Sequence, residues 1–161
     1  LDTGPVLSTW RTPIGDDTTT GQLQEVLAHE GAKLMVASLE DLASGRAAEM
    51  AQSADGVTYA KKVVAEEARI VWSRPAREIV RHVHGLNPQP GAWTMAGEAR
   101  LKILHVKAVA GRGALGAIIA APLVVACGDG AVSIDVLQRA GRGAQGTAEF
   151  LRGFSLPPKF D

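Results

Sequence analysis

The stretch Gly128-Asp-Gly-Ala-Val-Ser-Ile-Asp-Val136 decides how this chain folds. Val132, Ile134 and Val136 alternate with Ser133 and Asp135, which makes one side of an extended segment apolar and the other polar, the period of a half-buried strand. The Gly128-x-Gly130 pair in front of it reads as a hairpin turn and not as a phosphate cradle, because neither a helix nor a lysine follows at the required spacing. Upstream, Ala117 to Ala120 and Leu123 to Cys127 flank Ala121-Pro122, while Ala92 to Met95 and Arg100 to Val109 flank a turn at Ala96-Gly-Glu98. Five or so short strands over about 50 residues predict a small barrel or a strongly curled sheet. Downstream, the Gly- and Arg-bearing segment from Gln138 to Gly153 contains a short helix at Thr147 to Leu151.

Working toward the N-terminus, Asn87-Pro-Gln-Pro-Gly91 is a turn, and Gly85 stops a helix that Ser73 caps and Pro75 starts. Ala76, Ile79, Val80 and Val83 fall at i, i+3, i+4 and i+7 and give that helix its core face. Arg74, Arg77, Arg81 and His84, spaced three, four and three, give it a basic stripe. Ala68 to Trp72 reads as a short strand, and residues 46–66 as a connector. Before the connector, Thr19-x-x-Gln22 is a capping box for a helix that ends at Ser44-Gly45. Leu23, Val26, Leu27, Leu34, Met35, Leu39 and Leu42 share one face of it, and Gly31 allows a kink. Gly4 to Ile14 suits an exposed or edge strand.

The chain has 161 residues, 17 basic and 17 acidic side chains, and 46% apolar residues, a composition that excludes disorder and collagen-like repeats. The zero net charge hides a division. Residues 1–66 hold five basic against ten acidic side chains, a net of −5, and residues 67–161 hold twelve against seven, a net of +5. The second part has the electrostatic footprint of something that meets a polyanion. Cys127, alone, forms no internal disulfide and no thiolate zinc site, so a reducing compartment is expected. The longest apolar run, Ala114 to Cys127, has 14 residues interrupted by Gly116 and Pro122. A bilayer span needs about 20, so no membrane segment is expected. The opening Leu1-Asp-Thr-Gly4 carries neither an initiating Met nor a basic leader and reads as the middle of a longer chain.

Asp2-Thr3-Gly4 matches an aspartic-protease motif poorly, since Pro5 follows it and no second copy supplies the paired carboxylate. His82 and His84 point about 200° apart on a helix, so they cannot chelate one ion and read as surface histidines. The basic stripe is joined by Lys61 and Lys62, by Arg100, Lys102 and Lys107, and by Arg139 and Arg142, a set suited to salt-sensitive phosphate contact. Trp72 and Trp93 lie in apolar contexts and read as core, which leaves no stacking platform and favours shape recognition of a folded RNA.

Eight segments, in order, carry a resemblance: Leu1 to Leu7, Thr20 to Gly45, Thr58 to Lys61, Glu67 to Trp72, Asn87 to Ala92, Leu101 to Leu104, Ala126 to Gly130 and Ala148 to Gly153. Together they resemble the second half of the methionyl-tRNA formyltransferase family. The resemblance implies an α/β plus β fold: residues 1–45 as the end of a Rossmann-like catalytic domain, 46–66 as a linker, and 67–161 as an OB-fold-like barrel that binds tRNA. It implies transfer of a formyl group from 10-formyltetrahydrofolate to the methionyl amino group of initiator tRNA, by a cytoplasmic monomer without a metal. Asp2 matches the aspartate of that family's catalytic trio. The Asn, the His and the main folate loop lie upstream of Leu1, so these 161 residues alone are expected to be inactive. The expected tRNA ligands are Lys61, Lys62, Arg74, Arg77, Arg81, Arg139 and Arg142. A purely RNA-binding barrel, or a folate-dependent formyltransferase or hydrolase with another acceptor, are the alternatives.

Overall fold

The computed structural model describes residues 3–161. The chain divides into two compact units, one made of the residues up to Ile14 with Gln22–Lys62, the other of Gly15–Gly21 with Val63–Asp161.

In the first unit the dominant element is helix α1, Thr20–Ala43, whose first two residues belong to the second unit. It runs through Gly31 without interruption. None of its residues is buried, and the apolar face read from the sequence is exposed, Met35 at 62% and Leu39 at 56%. The strand expected over Gly4 to Ile14 is reduced to a single bridge, in which Val6 and Met50 exchange main-chain hydrogen bonds of 2.8 and 3.0 Å. Ser44 back-bonds to the Glu40 carbonyl at the helix end.

The second unit packs helix α2, Ala76–Gly85, on a six-stranded antiparallel sheet. The strands are β1 (Ala92–Ala96), β2 (Ala99–Val109), β3 (Ile118–Ala120), β4 (Val124–Ala126), β5 (Ala131–Arg139) and β6 (Gln145–Gly146), with α3 at Thr147–Gly153. Their order is β1-β2-β5-β4-β3, and β6 pairs with β5. Ile79 and Val83 of α2 join Leu101, Ile103 and Val106 of β2 and Val132, Ile134 and Leu137 of β5 in one apolar cluster.

Two compensating irregularities interrupt the β2–β5 ladder, between Ile103 and His105 and between His105 and Val106. They shift the inward phase, so Leu101 and Ile103 are followed by Leu104 and Val106, and on β5 Leu137 is buried where alternation expects Val136. The bulge turns the ladder past His105 without losing the core face.

The hydrogen-bonded ladder does not close, and this corrects the expectation of a complete barrel: β1 and β3 remain its two edges. The gap is spanned by residues 158–161. Ile118 donates to the Pro158 carbonyl and Phe160 to that of Gly116 on one side, and Asp161 donates to the Met95 carbonyl on the other. Phe160 is fully buried and stacks on Trp72.

Two local readings are also corrected. Ala68 to Trp72 forms no strand; Arg69 makes one parallel bridge to Trp93. Ser73 does not cap α2, which begins after Pro75, and the first helical amide, of Ala76, is taken by the main-chain carbonyl of Asp129 at 2.8 Å. The β4–β5 hairpin turn therefore seats the helix. Gly128 makes the seat possible, because a Cβ there would lie 1.9 Å from the Ser73 carbonyl oxygen.

Candidate nucleic-acid interface

Arg74, Arg77, Arg81 and Arg139 line three different hollows of the second unit. Arg74 precedes α2 and lines a hollow of about 200 Å³ with Glu66, Glu67, Arg69 and His82. Arg77 and Arg81 line a different one of about 250 Å³, together with Asp16, Asp17 and Lys107. The stripe read from spacing thus contributes to two hollows, and both have carboxylates in their linings.

His84 leaves the stripe altogether. It is four residues after Val80, which turns it toward the core, and it is 2% exposed. Its Nδ1 lies 3.2 Å from the Asp16 carbonyl and its Nε2 accepts the Val106 amide at 3.4 Å, so the neutral, Nδ1-protonated ring fits the site. Burial lowers its pKa, with the nearby His105 acting in the same direction. The His105 ring lies tilted against that of His84, with centroids 4.8 Å apart, and its Nδ1 reaches Asp135 at 3.1 Å, a carboxylate it shares with Lys107. His82 is half-buried, its Nε2 without a hydrogen-bond partner among the described residues, and burial lowers its pKa too. Neither is a surface histidine.

Arg139 falls in a third place, a hollow of about 390 Å³ on the β1–β2–β5 side, with Pro90, Arg100, Lys102, Gln138 and Gly141. Strand pairing assembles it: Trp93 on β1 opposes Lys102 on β2, which opposes Gln138 on β5. Trp93 is only half-buried, contrary to its reading as core. Its indole donates to the Ala65 carbonyl at 2.8 Å, and the guanidinium carbons of Arg100 and Arg69 lie 4.0 and 5.6 Å from its ring centroid. Arg139 sits similarly 5.2 Å from the Phe154 ring. Arg142 is exposed nearby, and its carbonyl accepts the Gln138 side-chain amide. Trp72 is core as expected, its indole donating to Thr94 at 3.0 Å.

Lys61 and Lys62 are exposed near the division between the units. Asp2, the expected catalytic residue, lies outside the described residues. Among the described residues no group of three His, Cys, Asp or Glu could hold a metal, and no helix is long and apolar enough to cross a membrane.

The formyl transferase C-terminal domain family matches residues 62–155, nearly the whole of the second unit. The chain belongs to that family. Among curated relatives, the methionyl-tRNA formyltransferase of Bradyrhizobium sp. strain BTAi1 is 49% identical across 98% of this chain and 52% of its own length. That of Parvibaculum lavamentivorans is 48% identical across 98% and 53%. The chain therefore spans about half the length of the curated relatives it matches. Among solved structures, a variant of HypX from Aquifex aeolicus superposes with a TM-score of 0.73 at 19% identity, over 98% of this chain and 30% of HypX. HypX in complex with tetrahydrofolic acid superposes with a TM-score of 0.72, also at 19% identity, over 98% of this chain and 29% of that one. At such identity the likeness is one of fold: this formyl transferase C-terminal domain shares its architecture with part of HypX.

Proposed function

We propose that this chain is the second half of a methionyl-tRNA formyltransferase, in which residues 1–45 complete a Rossmann-like catalytic domain, 46–66 link it to the rest, and the OB-fold-like unit from residue 67 binds tRNA. The observation that carries the reading is the identity of nearly one half, sustained over almost the entire chain, with proteins of that name. The net +5 of residues 67–161 supports it, because an RNA substrate calls for cations that a small acceptor does not. The reaction moves a formyl group from 10-formyltetrahydrofolate to the amino group of methionine on initiator tRNA. The attacking amine loses a proton while the formyl oxygen gains charge and tetrahydrofolate leaves; a carboxylate at Asp2 beside a His sets that ring's protonation and holds a proton-relay water, while an Asn and the His, both from the preceding part, stabilise the oxyanion.

A chimera tests this: the N-terminal half of the Bradyrhizobium relative joined to Leu1. It should formylate methionyl-tRNA with 10-formyltetrahydrofolate, and the Asp2→Asn version should not. A folded chimera that binds tRNA without transferring formyl to it, or that prefers an amino sugar, overturns the reading.

A further inference from the structure

The cation-bearing hollows differ in what surrounds the cations. Arg77 and Arg81 share theirs with Asp16 and Asp17, and Arg74 shares its hollow with Glu66 and Glu67. A carboxylate in the lining repels a phosphate that enters the same hollow. The hollow on the β1–β2–β5 side brings Arg100, Lys102 and Arg139 together and has no carboxylate in its lining. Among the described residues none of these three cations is ion-paired, and neither are Arg74, Arg77 and Arg81, so what separates the hollows is the carboxylates in their linings. Its volume of about 390 Å³ lies within the range of ligand pockets, which begins near 300 Å³.

Two of the three cations are also held in place. Arg100 rests on Trp93 and Arg139 on Phe154, so less side-chain freedom is lost when an anion arrives. Gly91 lets the Lys102 stem lie across the hollow's edge, since a Cβ there would stand 2.9 Å from Lys102 Cδ. Trp93 is in turn fixed by the Ala65 carbonyl.

We propose that this hollow is the principal phosphate-binding site for an RNA backbone, with Arg100, Lys102 and Arg139 contacting phosphate and Trp93 as the plate that positions Arg100. The assignment rests on the tRNA-binding reading above. It makes the α2 arginines the lesser contributors, because Asp16 and Asp17 line the same hollow and repel an arriving phosphate.

The test is binding of labelled initiator tRNA to the chain, measured by anisotropy across a series of KCl concentrations. Arg100→Gln with Lys102→Gln should flatten the dependence of log K on log salt by about two, one per cation, and Arg77→Gln with Arg81→Gln should flatten it by less. Thermal unfolding of each double variant confirms that the surface changes leave the fold intact. An unchanged slope in the Arg100/Lys102 variant, or a larger loss in the α2 variant, overturns the hollow while leaving tRNA binding standing. Failure of the unaltered chain to bind tRNA removes the tRNA reading and the hollow's role together. A second arm needs no RNA: titration with inorganic tripolyphosphate should move the Trp93 indole resonance and leave that of buried Trp72 in place. A still Trp93 resonance counts against the hollow even when tRNA binds.

Discussion

The rings of Trp72 and Phe160 stack with centroids 5.8 Å apart, and this contact holds residues 158–161 across the opening between β1 and β3. Thr94 continues it, accepting from the Trp72 indole and donating to the Asp161 carbonyl at 3.0 Å in both cases. An antiparallel sheet with two open edges thus gains a strap in place of a closing strand.

Phe160→Ala should cost about 3–5 kcal/mol, the usual loss for emptying a filled aromatic site. Urea unfolding followed by tryptophan fluorescence measures it, and Phe160→Leu should lie well below that range. A cost under about 1 kcal/mol for the alanine variant would show that the strap is dispensable.

Gly128→Ala should be the most damaging single-methyl addition in the second unit, because the new Cβ would overlap the Ser73 carbonyl and unseat α2. A loss of about 3 kcal/mol or more, or failure to fold, is expected. Gly143→Ala, with open space around its Cβ, is the control and should be near neutral. Thermal midpoints of the two variants decide the matter.

Acid should weaken the second unit through its histidines. Burial holds His84 and His82 below the ordinary value of 6.5, so both fold in the neutral form. A lowered histidine leaves stability intact above pH 6.5 and removes it as pH falls below 6.5, by at most about 1.4 kcal/mol per pH unit for each group. For His84 the protonated Nε2 would face the Val106 amide, a donor against a donor. Urea midpoints at neutral and mildly acidic pH should diverge, and His84→Gln should reduce the divergence.

Cys127 should be inert toward thiol reagents in the folded chain, since burial pushes its thiol up to about 11. Reaction with a chromogenic disulfide at pH 8 should be slow without denaturant and complete in urea. Rapid labelling of the native chain would contradict the burial.

The parts of the fold that were legible in the sequence are those set by neighbours along the chain. The apolar period of Ala76, Ile79, Val80 and Val83 fits α2, and the turn at Ala96-Gly97-Glu98 sits between β1 and β2. The Arg-bearing stripe was legible only as charge. Spacing put His84 among the arginines, whereas its offset of four from Val80 carried it inward, and only the packed sheet supplied the Asp16 and Val106 groups that make burial tolerable. Trp93 read as core because its sequence neighbours are apolar, yet a strand shows alternate sides, and the side carrying Trp93 meets Lys102, Arg100 and Arg69.

By itself, then, the sequence determined the three helices, strands β1 to β5 in their order and the basic character of residues 67–161, because helix and strand periods and net charge are sums over nearby residues. The tertiary structure alone decided which cations stand together free of carboxylates, that Asp129 and not Ser73 takes the first amide of α2, and that residues 158–161 strap an open sheet. Those outcomes depend on register, on one bulge at His105 and on backbone approach at Gly128, all of them contacts between residues far apart in the chain.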